Sequence, residues 1–287
     1  MDWINAIVQG TLLGGLYALF AAGLSLIFGV MRLVNIAHGD LIVLAAYLGL
    51  TVTAALSMNP FVSLILVAPL MAGFGYVLQR GVLNWTLGDD ILPPLLVTFG
   101  LSVIIQNALL ESYSADPQKL NAGAIEVASA SIGGLAVGYL PLVIFLTAVL
   151  VIAGLQWIFY ATALGRAFRA VSDNQDIAQL MGLNRRHVFG LAMALSLAVT
   201  AIAGFFLGVR TSFDPATGPA RLIFGFEAVI IGGLGNLWGT LAGGVILGVA
   251  QSIGAQINPG WQILSGHIAF LIILAVRPRG LFPRMDG

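Results

Sequence analysis

Few side chains in this sequence are equipped for chemistry, and their spacing argues against covalent catalysis. Of 287 residues, 12 are acidic, 12 are Lys or Arg and 3 are His, and there is no cysteine. A chain without cysteine forms no disulfide and no thiolate metal site. A phosphate-binding loop needs G-x-x-x-x-G-K-[ST]. The one lysine, Lys119, follows Gln118, so any ATP must be hydrolysed by another chain. The ionisable groups near apolar residues are His38, Asp40, Glu111, Arg210, Arg221, Glu227 and His267. Most fall near the ends of apolar runs, whereas a proton-coupled carrier keeps titratable groups at mid-depth. Glu227 heads a short apolar run and is a candidate for lining or gating a path; Arg221 or a helix N-terminus is its expected partner. His267 reads as a hydrogen-bonded packing residue rather than a ligand. Arg210 and Arg221 bracket a loop containing Asp214 and make a candidate docking site for an external partner, against ordinary headgroup contact.

The elements that must position these groups follow from composition. The sequence is 59% hydrophobic and 8% charged, with a mean hydropathy of +0.99. Soluble domains carry about 25% charged residues, so most of this surface must face lipid. The apolar runs are long and continuous, which favours helices over the roughly 10-residue alternating strands of a barrel. Spans are expected at about 4–30, 36–57, 60–79, 91–111, 138–160, 188–209, 222–235 (short), 238–257 and 260–277. The expected fold is all-α: a polytopic bundle of eight to nine membrane segments in one domain, 1–287, with 222–257 holding two crossings or a re-entrant piece plus one. The start, MDWINAIVQG, lacks the basic region of a cleaved signal peptide and reads as a retained span. The segment 111–135 is polar, outside the spans, with a strand-like or short helical element, and an external loop is expected at about 112–137.

Basic residues set orientation. If the loop 161–187 is cytoplasmic, that side holds Arg32, Arg80, Arg166, Arg169, Arg185, Arg186, Arg277, Arg279 and Arg284, nine in all, against Lys119, Arg210 and Arg221 outside. The N-terminus is then outside and the C-terminus inside. Zero formal net charge argues against a nucleic-acid partner.

The loop 161–187 interrupts two charge-free runs. Ser172 and Asp173 are its expected N-caps, Ser172 with Gln175 having capping-box spacing, ahead of a helix over about 174–181 that Gly182 stops. Asp173 and Asp176 suit the helix N-terminus. Ile177, Leu180 and Met181 share an apolar face, which fits a groove on a partner protein better than an anionic leaflet. Two further features rest on small residues. Gly239 with Gly243, and Gly244 with Gly248, permit close helix approach, within the subunit or against a partner. Gly232-Gly233-Leu234-Gly235-Asn236 breaks an apolar run, either as a tight turn or as irregular backbone beside a cavity. Bulky residues at Gly233 or Gly243 are therefore expected to impair function without loss of assembly.

Several ordered motifs then carry a resemblance along nearly the whole chain: Gly10–Gly29 (GTLLGGLYALFAAGLSLIFG), Val34–Asp40 (VNIAHGD), Gly165–Ala170 (GRAFRA), Asp173-Asn174, Met181–Asn184 (MGLN), Gly232–Asn236 (GGLGN) and Arg277–Phe282 (RPRGLF). The sequence resembles LivH-type permeases of branched-chain amino-acid ABC transporters, with Asp40 where the family commonly has Glu. The resemblance implies an ABC importer permease fold in a bacterial inner membrane, working by alternating access. It implies a second LivM-type permease, two cytoplasmic LivG/LivF-type ATPases that use ATP and magnesium, and an extracytoplasmic substrate-binding protein. The chain itself is then no enzyme and holds no cofactor. Arg166, Arg169, Ser172, Asp173, Asn174, Asp176, Ile177, Leu180, Met181 and Gly182 become coupling residues. Asn35, His38, Asp40, Glu227, Gly232, Gly233, Gly235 and Asn236 become path or gate candidates. Leu, Ile and Val are the expected cargo; urea, short amides and other amino or carboxylic acids are the alternative, and an autonomous secondary transporter or channel is the rival of another class.

Overall fold

Lipid cannot hydrogen-bond to the backbone, so a chain this apolar must satisfy its peptide groups internally. In the computed structural model it does so with helices. The structure describes residues 2–88, 90, 92–132 and 135–282. In order they form α1 (Asp2–Met31), α2 (His38–Leu56), α3 (Pro60–Gly81), α4 (Leu92–Tyr113), a two-stranded antiparallel hairpin of β1 (Ser129–Ile132) and β2 (Leu135–Gly138), α5 (Tyr139–Ala161), α6 (Ala163–Asp173), α7 (Gln175–Leu180), α8 (Arg185–Arg210), α9 (Gly218–Gly232), α10 (Leu237–Ile257) and α11 (Gln262–Val276). Among the described residues, eight helical segments are long and apolar enough to span a bilayer, α11 counted from Pro259; α6, α7 and α9 are not among them.

α1 is the axis of the bundle, packed by α5, α8, α9 and α10. Glycine allows this. Gly10 and Gly14 lie against Gly248 and Gly244, and a Cβ on Gly10 would fall 2.6 Å from the Val249 Cα. The other side of α10 is filled as well, Gly239 and Gly243 meeting Gly232 and Ala228 of α9. Both glycine pairs of α10 therefore serve packing within the subunit. A side chain at Gly243 would strike the Ala228 carbonyl, so a bulky residue there disturbs the packing of α9 on α10 and does not spare assembly. At the rim, α4, α5 and α11 expose Leu96, Phe99, Ile104, Leu150, Trp157, Ile268 and Leu271 outward.

Two face-defining groups of contacts sit at opposite ends. At one, Ser172 Oγ donates to the Gly29 carbonyl at 2.8 Å, Gly235 rests on Gly29, and Leu281 N donates to Ile231 O at 2.8 Å. At the other, Thr51 and Tyr113 share a hydroxyl bond of 2.5 Å, and Leu120 N donates to Gly208 O at 2.9 Å. The chain between Arg210 and Leu237 joins these ends, so it changes face and does not turn back. It does so with a helix of only 15 residues, about 22 Å long against the roughly 30 Å hydrocarbon core.

α2 also starts inside the bundle. His38 Nε2 bonds the Phe20 carbonyl, 2.9 Å away in the middle of α1. The segments 32–37 and 211–217 are thus irregular chain leading inward from opposite ends. The helices that follow them, α2 and α9, begin side by side, Gly39 against Gly218.

Outside the spans, the segment before β1 is tied by Lys119, whose Nζ lies 2.5 Å from Glu126 Oε2, and Glu126 Oε1 accepts from Ala122 N at 2.6 Å. The Lys119 hydrogen bond holds the Glu126 carboxyl below its usual range. A carboxyl depressed in the fold contributes stability above its unfolded pKa, about 4.3, and loses it as pH falls through the folded value. Hydrogen-exchange protection of the Ala122 amide is therefore expected to hold at neutral pH and to fall below about pH 4, and Glu126→Gln should flatten that profile. The glycine seam makes a second prediction. Gly14→Val and Gly243→Val should each cost on the order of 1–3 kcal/mol and lower the melting temperature of the purified protein, while Gly73→Ala, which meets nothing within 4 Å, should not.

Candidate functional site

The loop between α5 and α8 folds as two helices rather than one. Thr162 caps α6, its hydroxyl accepting from Gly165 N at 3.1 Å. Gly165, Phe168 and Val171, three apart, are buried and hold α6 to the bundle. Arg166 on its other side is exposed. Arg169 donates to the Phe159 carbonyl and lies over the Tyr160 ring at 5.2 Å, so it fixes α6 to the end of α5.

Ser172 and Asp173 are the last turn of α6, not caps of the next helix. The cap is Asn174, whose Oδ1 accepts from Asp176 N and Ile177 N, both at 3.0 Å. Its extended backbone (φ −151°, ψ 110°) breaks the helix there, and the amide side chain satisfies the donors that the break exposes. α7 ends at Gly182, φ +86°, with Gly182 N donating to Gln179 O at 2.9 Å and Leu183 N to Ala178 O at 3.0 Å. These are the paired bonds of a Schellman stop. Asp176 sits in the first turn. Ala178 faces inward, leaving Ile177, Leu180 and Met181 at 59%, 87% and 79% exposure. The result is a short apolar knob held at both ends and anchored through α6. Beside it, Val30, Met31, Arg32 and residues 172–175 line a hollow of about 270 Å³.

The motif 34–40 is structural glue at the junction of α1, α2, α4 and α9. Asn35 Oδ1 accepts from Ala37 N at 3.1 Å, closing the turn into α2. His38 is pinned to α1 as described. Gly39 admits the Gly218 carbonyl. Asp40 Oδ1 accepts from Gln106 Nε2 at 3.0 Å, and Gly218 lies against the same carboxylate. A carboxylate suits this place because α2 and α9 both present their positive ends to it. Asn35, His38 and Asp40 are 0–1% exposed.

Gly232, Gly233, Gly235 and Asn236 form the tight α9–α10 turn at the α7 end. Gly233 and Gly235 have φ of +102° and +77°, which L side chains resist. Asn236 Oδ1 caps α10 through Gly239 N at 2.9 Å, while its Nδ2 donates to Phe282 O at 2.9 Å. Phe282 N donates to Gly232 O at 3.2 Å, so the carbonyls released where α9 ends are taken up by the following Arg277–Phe282 motif.

Glu227 pairs with neither Arg221 nor a helix N-terminus. Its Oε1 lies 2.5 Å from His267 Nδ1 of α11, and Phe224 stacks on that imidazole with centroids 6.1 Å apart. His267 is thus bonded, as its apolar setting suggested. Arg210 and Arg221 are half-buried, and neither makes an ion pair within 4.0 Å among the described residues. Asp214 closes its own turn, accepting from Ala216 N at 2.8 Å. With Pro215, Ala216, Gln106, Asn107, Leu110 and Ala115 it lines a hollow of about 160 Å³ at the end away from α7.

A family model described as the branched-chain amino acid transport system permease component matches residues 6–276. The chain belongs to that family. Among curated relatives, the high-affinity branched-chain amino acid permease protein BraD of Pseudomonas aeruginosa is 28% identical over 297 residues, covering 99% of this chain and 97% of that protein. LivH of Escherichia coli, described in the same terms, is 27% identical over 305 residues, covering 99% and 96%. The fructose import permease protein FrcC of Rhizobium meliloti is 30% identical over 301 residues, covering 95% and 81%. The chain is therefore the permease component, a transport subunit embedded in the membrane by its eight apolar helices.

Three polar groups of the permease escaped the sequence reading. Thr98, Ser102 and Gln106 recur every four residues on α4 and turn toward 36–40: Thr98 Oγ1 accepts from Ile36 N at 3.3 Å, and Gln106 bonds both Ser102 Oγ and Asp40. Their regular spacing within an apolar run is the signal that could have found them. Tyr17 and Gln251, joined by a bond of 2.5 Å, left no such trace. The knob's two ends are separately testable. Asn174→Ala and Gly182→Ala should each cost about 1 kcal/mol, read as faster hydrogen exchange in α7 with no change across α8.

Proposed function

We propose that the permease carries branched-chain amino acids inward across the bacterial inner membrane as one of a pair of related permeases, moved by separate ATPase subunits. The observation that carries this reading is the α7 knob. Three exposed apolar side chains, Ile177 and Leu180 on a six-residue helix and Met181 at its C-cap, have no reason to face water unless a protein groove receives them. The knob lies at the end of the bundle that gathers Arg32, Arg80, Arg166, Arg169, Arg185, Arg186, Arg277 and Arg279, the signature of a cytoplasmic face; Arg284 lies outside the described residues. The N-terminus is then extracytoplasmic and the C-terminus cytoplasmic. Loop 161–187 is the coupling loop, with Arg166 and Asp176 flanking the contact and Ser172, Asp173, Asn174 and Gly182 holding its shape. ATP and magnesium belong to the ATPases.

The hollow at Asp214 and Gln106 opens on the opposite face, where an extracytoplasmic binding protein would deliver cargo. The apolar rims of α4, α5 and α11 face lipid and the second permease. The names borne by BraD and LivH support a branched-chain cargo, and uptake separates that cargo from the sugar in FrcC's name.

The test co-expresses the chain with its neighbouring permease, ATPases and binding protein in a host lacking leucine uptake. Leu180→Asp with Met181→Asp should lower labelled leucine uptake about tenfold or more and abolish cargo-stimulated ATP hydrolysis, with membrane insertion unchanged. Undiminished uptake in that variant, or uptake by the isolated chain without nucleotide, would overturn the reading.

A further inference from the structure

Five helices bring polar side chains to one place in the half of the bundle away from α7, and their bonding is incomplete. Tyr17 of α1 donates to Gln251 Oε1 of α10 at 2.5 Å. Its hydroxyl lies within electrostatic range of Arg210, Arg221 and Glu227. Four buried atoms of this group lack any hydrogen-bond partner among the described residues: Arg210 Nη1, Arg221 Nε, Gln251 Nε2 and Glu227 Oε2. Three are donors and one is a carboxylate oxygen.

Buried guanidinium nitrogens without a hydrogen-bond partner are costly. Asp214 lies within electrostatic range of Arg221, but neither arginine has an ion pair within 4.0 Å among the described residues, and Glu227 already holds His267. Both guanidinium groups are left without a hydrogen-bonded carboxylate. A guest that fits would bring a carboxylate for the arginines and Gln251, and a donor for Glu227 Oε2. Phe224 and Tyr17, with ring centroids 5.0 Å apart, supply an apolar aromatic wall between the two levels. Arg221 and Glu227 are six residues apart on α9, about 9 Å along its axis.

We propose that this cluster is a transit site for the cargo itself: Arg210, Arg221 and Gln251 take the α-carboxylate of a free amino acid, Glu227 takes its ammonium, and Phe224 and Tyr17 bear on its aliphatic side chain. The proposal rests on the amino-acid cargo argued above. It reassigns Arg210 and Arg221, since the unpaired Nη1 and Nε are buried within this chain, where a carboxylate on the surface of a docked protein does not reach.

The assembled transporter, purified without binding protein, tests it by equilibrium binding of L-leucine, 4-methylpentanoate (carboxylate alone) and leucinamide (ammonium alone). Arg210→Gln and Arg221→Gln should weaken L-leucine and 4-methylpentanoate by about tenfold or more and leave leucinamide alone; Glu227→Gln should do the reverse, weakening L-leucine and leucinamide. If a Gln variant fails to assemble, Arg210→Lys and Arg221→Lys keep the charge, lose the fork, and should still weaken 4-methylpentanoate. Three results would overturn the site: no leucine binding by the wild type, unchanged leucine binding in the variants, or arginine variants that lose only affinity for the binding protein. A wild-type transporter that does not import leucine but binds 4-methylpentanoate through these arginines would sink the cargo assignment and leave the carboxylate site standing.

Discussion

The bundle depends on α10 lying in near backbone contact with two neighbours at once. In lipid no hydrophobic force draws helices together, so association relies on close packing and polar bonds. α10 supplies the first by presenting Gly244 and Gly248 to α1 and Gly239 and Gly243 to α9. That double seam holds the 15-residue α9 against the axis of the molecule. Its register with α9 sets the Gly232–Asn236 turn, which in turn receives Leu281 and Phe282. The same packing carries Glu227 to His267 and Gln251 to Tyr17.

A second constraint acts where the chain is not helical. The segments leading to α2 and α9 run partly through protein interior, where a buried peptide group needs a partner. Asn35 and Thr98 meet that need for the Ala37 and Ile36 amides, and Gln106 bonds the Asp40 side chain beside them. Two helix N-termini then converge on one buried carboxylate, which offsets their dipoles. Asn35, His38 and Asp40 are buried where α2 and α9 begin. That junction ties α1, α2, α4 and α9 together, so a tilt imposed on one of them is felt by the rest.

Force would enter at the other end. α6 is bolted to the bundle through Phe168, Val171, the Arg169 bond to α5 and the Ser172 bond to Gly29. Ser172 thus links the root of the knob to α1, the helix on which the remaining packing converges. From Leu180 and Met181 to the axis, the connection runs through short covalent and hydrogen-bonded steps.

Much was legible in the sequence because its signals are local. Apolar run length marked the eight long spans, the short seventh segment and the polar hairpin region, since hydrocarbon thickness acts on each run separately. The Gly182 stop and the Ile177, Leu180 and Met181 face followed from rules that operate within a few residues. The helix start was misplaced because Ser172, Asp173 and Asn174 are all competent caps, and only the burial of Phe168 and Val171 decided that α6 continues through Asp173. Pairings across the bundle were beyond reach for a related reason. Glu227 meets His267 across 40 residues and Tyr17 meets Gln251 across 234, and nothing in either residue's neighbourhood encodes the other. The sequence determined which segments enter the membrane and where the chain can bend; the close approach of glycine-bearing backbones determined which buried polar groups face each other, because in a solvent that offers no hydrogen bonds those groups are satisfied only by what packing brings to them.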